Sequence, residues 1–335
     1  MRTQHLAFIL LTFLIAFSGC KKYNQIDNAA TIVKPYVLYV GGYNGTVHKT
    51  NDGVYFNMLF PVDNSPVRQI LTADSNLIYL KQNCYVSLDE GFAFNVVSTD
   101  AMPYVDLFYK KFLPNNLLFA PHNLKTYLCT NAGLVESIDD GESFANTGAP
   151  ITPTSITKTD NDSIWGLDAN IALMQSDGFS AFTTVGQTTP LPTDTALWYL
   201  THFGDEVFAV DFNGHAGVYR ASAGGSEWTK VNGVAGTNRD IIFCNHPEGS
   251  KYLFLGRDSA RLYRMDPLTS NAFAVSTTGI PAEAKVSYVE GKTQIYRTGD
   301  IKHFLYCATD VGLYRSEDDG DSWIKVWDGN FSTLN

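Results

Sequence analysis

Apolar residues along this chain come in short runs of four or five, set apart by clusters of Gly, Asp, Asn and Ser. Near the C-terminus Phe304-Leu305-Tyr306-Cys307-Ala308 is followed by a turn at Thr309-Asp310 and then by Gly312-Leu313-Tyr314-Arg315. A polar stretch from Ser316 to Ser322 leads into Trp323-Ile324-Lys325-Val326-Trp327. Runs this short, aromatic and bounded by turn formers predict strands rather than helices. The same order returns at Tyr127-Leu128-Cys129, Gly133 to Glu136 and Ser137 to Phe144, and again at Leu77 to Leu80, Cys84 to Val86 and Ser87 to Phe94. No apolar run in the body reaches the roughly 18 residues of a membrane helix, which excludes a multi-pass membrane protein.

The three polar stretches read Ser-x-Asp-x-Gly-x-x-aromatic: Ser87, Asp89, Gly91 and Phe94; Ser137, Asp139, Gly141 and Phe144; Ser316, Asp318, Gly320 and Trp323. An Asp side chain can accept hydrogen bonds from turn N–H groups, Gly supplies a positive φ, and the aromatic opens the next strand and packs back over the turn. The pattern resembles the Asp-box of the BNR repeat family. In that family the box lies on the turn between the third and fourth strands of a propeller blade, away from the functional face. The resemblance therefore implies structural work for these twelve residues.

Four further segments keep the strand–turn–strand order with an eroded motif. They lead to Asn51-Asp52-Gly53 and Phe56, with Asn51 in the Asp place; to Ser176-Asp177-Gly178 and Phe182; to Gly224-Gly225-Ser226-Glu227-Trp228; and to Asp266-Pro267 and Phe273. The closing aromatics Phe56, Phe94, Phe144, Phe182, Trp228, Phe273 and Trp323 recur about every 44 residues, a propeller-blade period. Apolar runs at Val67 to Leu71, Ser155 to Lys158, Leu197 to Leu200 and Asp240 to Cys244 supply inner strands. The expected fold is all-β, a seven-bladed propeller of four-stranded antiparallel blades over residues 34–335. The first blade lacks an inner strand of its own, which either residues 26–33 or the tail after Trp327 must provide.

The first residues change the setting. A basic start, an apolar stretch from Leu6 to Phe17 and small residues before Cys20 describe a secretory signal over residues 1–19. Phe17-Ser18-Gly19-Cys20 resembles the lipobox of bacterial lipoproteins, which implies lipidation at Cys20, a tether over 20–33 and anchoring to the cell envelope, the outer membrane or cell surface being expected. Cys84, Cys129, Cys244 and Cys307 each fall in or beside an apolar strand of a different repeat, which favours buried single thiols over pairs.

Composition adds a limit on partners. The 335 residues carry 24 basic and 34 acidic side chains, a net charge of −10, which argues against nucleic acid. Neither acidic cluster, Asp139-Asp140 or Asp318 to Asp321, has the alternating ligands of a calcium loop, so no metal and no cofactor are expected. BNR propellers include sialidases, other glycan hydrolases, sorting-receptor ectodomains and photosystem assembly factors, so the resemblance leaves function open. The sialidase arginine triad does not carry over: no Arg-Ile-Pro motif occurs, and Arg2, in the signal, is the one Arg before Arg68. No catalytic residue is assigned.

Propeller geometry directs a search for ligands to the loops opposite the Asp-boxes. Loops between second and third strands offer Tyr43, Asn83, Asn131, Asp168, His215, Arg257 and Asp310. The blade connections offer Arg68, Tyr104, Trp198, Arg239 and Lys285, among which Arg68, Trp198 and Arg239 are the preferred candidates. Such a mouth suits a glycan or protein ligand. The expectation is a monomeric, non-enzymatic binding or scaffold lipoprotein; a divergent glycoside hydrolase or lyase is the alternative. His202, His246 and His303 border strands and are expected to be satisfied surface histidines.

Overall fold

A computed structural model describes residues 32–59, 63–73, 76–97, 102–104, 114–193, 197–213, 216–232, 241–257, 262–266, 269, 271–274 and 278–335. Every regular element among them is a strand. The described residues fall into two compact units, one holding residues 32–36 with Thr293–Lys302, the other Val37–Lys292 with His303–Asn335. In the small unit Ile32–Lys34 runs antiparallel to the end of another strand, Ile32 opposite Tyr296 and Lys34 opposite Ile295. The large unit is a seven-bladed β-propeller of four-stranded antiparallel blades.

Blade 2 shows the pattern, with strands Gln69–Ala73, Asn76–Leu80, Cys84–Ser87 and Asn95–Val96 from the axis outward. Its second strand is buried at all five positions. Alternate side chains serve different neighbours: Leu77 and Tyr79 join a cluster with Tyr39 and Val47 of blade 1, whereas Ile78 and Leu80 join Leu117 and Leu128 of blade 3. The division recurs in blade 5, where Val207 and Ala209 face blade 4 and Phe208 and Val210 face blade 6. The core is thus a ring of interblade clusters, and a strand buried on both faces reads as a continuous apolar run rather than an alternating one. Outermost strands are only two to four residues long, as at Asn95–Val96 and Ile324–Trp327.

The tail, not the N-terminal segment, completes blade 1. Phe331–Leu334 is its innermost strand, antiparallel to Leu38–Gly42 with Val40 opposite Leu334 and Gly41 opposite Thr333. Tyr39 and Asn335 exchange backbone hydrogen bonds of 2.7 and 3.0 Å. Trp327, from the last strand of blade 7, stacks on Phe56 of blade 1 at 4.4 Å. First and last blades are therefore joined by backbone and aromatic contacts alike.

The three Ser-x-Asp-x-Gly turns share one geometry between third and fourth strands. In blade 3 Ser137 Oγ donates to Asp139 Oδ1 (2.6 Å), Gly141 N donates to Ser137 Oγ (2.8 Å) and Ser143 N donates to Asp139 Oδ1 (2.9 Å). Blades 2 and 7 repeat this through Ser87, Asp89, Gly91 and Ala93 and through Ser316, Asp318, Gly320 and Ser322. The glycine does more than turn. Gly141 has φ 92°, and a Cβ there would lie 2.5 Å from Ile78 Cδ1 of the preceding blade. Gly91 likewise seats on Leu59 and Gly320 on Phe254, so each turn docks onto the blade before it. The closing aromatics share that interface: Phe94 lies 4.3 Å from Tyr79, and Trp323 is buried in the cluster shared by blades 6 and 7.

The blade 1 turn corrects an expectation. Asp52, not Asn51, does the work of the turn carboxylate, accepting from Thr50 Oγ1, Val54 N and Tyr55 N at 2.8 to 3.0 Å. Thr50 stands where the other turns have Ser, and the carboxylate is placed two residues beyond it as in them.

Candidate functional site

The inner strands run downward from the blade-connecting loops to the turn face, and their walls leave an axial channel with two cavities. The upper, of about 110 Å³, is lined by Tyr43, Arg68, Gln69, Asn115, Ser287 and Tyr288 together with Val67, Pro114, Phe212, Phe243, Ser332 and Thr333. The lower, of about 200 Å³, shares Gln69, Asn115 and Tyr288 with it and adds Thr157, His202, Asn245, His246 and Glu290. Shared lining makes them successive widenings of one channel.

Most polar groups of the upper mouth are fixed by neighbouring backbone. Gln69 bridges to blade 3, its Nε2 donating to Leu117 O (2.7 Å) and its Oε1 accepting from Leu117 N (3.1 Å). Asn115, in the left-handed region at φ 61°, donates from Nδ2 to Leu200 O at 2.6 Å. Ser332 Oγ donates to Val67 O at 2.6 Å, and the hydroxyls of Tyr43 and Ser287 lie 3.5 Å apart. These ties hold a rigid rim around Arg68, whose side chain is exposed. Desolvation lowers the Arg68 pKa and the nearby Tyr43 opposes that shift, and an arginine remains charged at any ordinary pH. Arg68 is the only Lys, Arg, Asp or Glu among the described lining residues of this mouth.

The sequence candidates separate here. Arg68 lines the mouth as expected. Trp198 does not: it is buried on the innermost strand of blade 5, donating from Nε1 to Pro192 O (3.1 Å) and meeting Tyr219 edge-on. Its role is packing in the cluster shared by blades 4 and 5. Arg239 and His215 lie outside the described residues. Asp168 is tied within its own loop, accepting from Ala172 N, and Asp310 to the preceding blade connection, accepting from Lys285 N, at 2.8 Å each.

The lower channel holds groups that sequence reasoning placed on the surface. His202 contributes to its wall, with Nδ1 3.0 Å from Thr157 Oγ1, and burial pushes its pKa down to about 4 against the opposing pull of Asp160. Burial also raises the Glu290 carboxyl, with Lys292 at 3.3 Å opposing it. His246 is satisfied by Ser250 O at 2.8 Å. His202 and Thr157 lie on the inner strands of blades 5 and 4, and nothing in their sequence neighbourhood marks the channel. Among the described residues no three His, Cys, Asp or Glu side chains cluster to hold a metal ion. The thiols of Cys84, Cys129, Cys244 and Cys307 are free and buried in the interblade clusters.

This ring of blades around a lined channel has counterparts of known structure. It is the fold of YCF48. The YCF48 of Cyanidioschyzon merolae matches at a TM-score of 0.55 and 14% identity, over 80% of this chain and 88% of that one. A YCF48 structure bound to D1 peptide matches at 0.52 and 15%, over 77% and 80%. An ancestral GH74 enzyme matches at 0.54 and 17%, over 78% of this chain but only 38% of the enzyme. At these identities the likeness is one of fold. No family model matches the sequence, and no curated protein matches it.

Proposed function

We propose that this protein is a binding or scaffold module of a bacterial envelope, a divergent Asp-box propeller lipidated at Cys20, that holds the anionic end of a peptide or protein at its upper channel mouth. The observation that carries the reading is Arg68 in a rigid rim of amides, hydroxyls and aromatic rings. A guanidinium in such a rim matches a carboxylate through paired N–H donors. Glycoside hydrolysis ordinarily uses two carboxylates across the scissile bond, and the described lining of the upper mouth carries neither Asp nor Glu. That a propeller of the same fold is seen with a peptide bound supports a peptide over a glycan. The three turns with the same Ser–Asp–Gly hydrogen bonds support the Asp-box kinship, and Phe17-Ser18-Gly19-Cys20 supports the anchor.

The test is binding of the mature protein to a library of peptides presented with free or amidated C-termini, read by fluorescence polarisation. Free-acid peptides are expected to bind at least about tenfold tighter than their amides, and Arg68→Gln to erase the difference. Equal binding of acid and amide, or turnover of glycosides by the same preparation, overturns the reading.

A further inference from the structure

The turn face carries a feature that the channel does not use. Exposed large apolar side chains gather on its hairpin tips in blades 1 to 4: Tyr55, Leu88, Phe92, Leu124, Ile138 and Phe179. Four of them are open to solvent over 73 to 78% of their surface. Folding gains nothing from a Phe held in water at a turn, where Asp, Asn, Ser or Gly would serve. The corresponding positions of blade 7 are Glu317 and Asp321, and the blade 5 turn carries Glu227. Among the described turns between third and fourth strands, those of blades 1 to 4 thus carry apolar tips and those of blades 5 and 7 acidic ones, whereas scattered single apolar residues would need no explanation.

The chain itself indicates what these apolar tips meet. Leu38, at the start of the first propeller strand, pairs with Thr50, the residue that opens the blade 1 turn. The polypeptide thus enters the propeller on the turn face, beside Tyr55. The sixteen residues between Cys20 and Val37 span at most about 60 Å when extended. A lipid on Cys20 would hold the turn face near the bilayer and turn weak contacts into intramolecular ones.

We propose that the tips of blades 1 to 4 dock on the lipid surface, inserting Phe92, Ile138, Phe179 and Tyr55 at the headgroup level. This rests on the proposed anchor at Cys20 and adds an orientation to it: the Arg68 mouth then opens away from the membrane. Aromatic and aliphatic side chains favour that interface. The same turns carry Asp89, Glu90, Asp139 and Asp140 and the chain is net −10, so the surface is zwitterionic and anionic lipid weakens the contact.

The experiment couples the mature chain to a maleimide lipid in phosphatidylcholine vesicles through the Cys20 thiol, the other four cysteines being buried. Hydrogen exchange is compared with the same protein mixed with vesicles lacking maleimide. Amides of 88–93, 138–142 and 177–180 are expected to exchange about fivefold or more slowly when coupled, those of 316–322 unchanged. The triple variant Phe92→Ser, Ile138→Ser, Phe179→Ser, whose side chains are each 73 to 78% exposed, loses the protection. Equal exchange in all turns, protection confined to blade 7, or protection that survives the triple variant overturns the proposal. Chemical coupling makes the result independent of natural acylation, which palmitate labelling of the wild type against Cys20→Ser tests separately.

Discussion

Leu334 is the residue on which ring closure can be measured most cleanly. It is 2% exposed on the innermost strand of blade 1 and pairs with Val40, although the two are almost the whole chain apart. Truncation to Ala removes buried methyl groups and leaves a cavity, a change that costs about 2–5 kcal/mol. Against a total stability of about 5–15 kcal/mol, that is a large fraction. With a urea slope of about 3 kcal/mol/M, a loss of about 3 kcal/mol moves the midpoint by about 1 M. Near-UV circular dichroism is the suitable probe, because Trp327 stacks on Phe56 and lies 4.9 Å from Phe331, at the joint itself. Ile324→Ala is the control: its side chain is 68% exposed on an outermost strand, and the expected effect is within about 0.5 kcal/mol. A chain stopped after Asn330, which loses the closing strand entirely, is expected to lose its cooperative transition. If Leu334→Ala unfolds at the wild-type midpoint, or the stopped chain melts like the intact one, the tail is not the closure and the reasoning fails.

Lys81 is a second point of strain: its fully buried ammonium donates to Gly45 O and Asp63 O at 2.9 Å and pairs with Asp63 Oδ1 at 3.3 Å. Lys81→Met is expected to destabilise by about 1–3 kcal/mol in urea unfolding, since it leaves the carbonyls of Gly45 and Asp63 without their donor. Asp63 also sets an acid limit. Its pKa is held down to about 2, burial being outweighed by hydrogen bonds from Ser65 and Tyr85 and by Lys81. A depressed folded pKa gives stability present above the unfolded value near 4 and lost as pH falls toward 2, so melting temperature should drop across that window, and less so in Asp63→Asn. Gly141→Ala combines a positive φ with a Cβ 2.5 Å from Ile78, whereas Gly148→Ala at φ 69° meets nothing within 4 Å. The first should cost clearly more than the second, which is expected near the 1–2 kcal/mol of left-handed strain alone, roughly. Burial pushes the thiols of Cys84 and Cys244 up to about 12 and raises those of Cys129 and Cys307 further. None of the four should react with a thiol reagent at pH 8 until urea unfolds the chain.

The candidate site was only partly legible before folding. Arg68 could be named because it follows an apolar run at a blade junction, and the structure places it in the mouth. Trp198 also stands at a blade junction in sequence, yet its side chain packs between blades 4 and 5. His202 and Glu290 were hidden because both lie on inner strands, and lining the axis is a property of the ring. The blade 1 turn misled for a local reason, since Asn51 and Asp52 are both turn formers and only the bond from Thr50 Oγ1 selects the second.

The sequence by itself determined the repeat, its strand–turn–strand order and the chemistry of its turns. These depend on contacts a few residues apart, such as Ser137 with Asp139 and Gly141, and local contacts leave a local signature. The tertiary structure decided what lies far apart in the chain. It paired Leu334 with Val40, sent alternate residues of each strand into opposite interblade clusters, and seated each turn glycine on the blade before it. It also gathered Tyr43, Arg68, Asn115 and Tyr288 from four blades around one mouth. A repeat unit cannot encode how many copies close a circle; the twist and packing between whole blades settle that, and with it which residues face the axis.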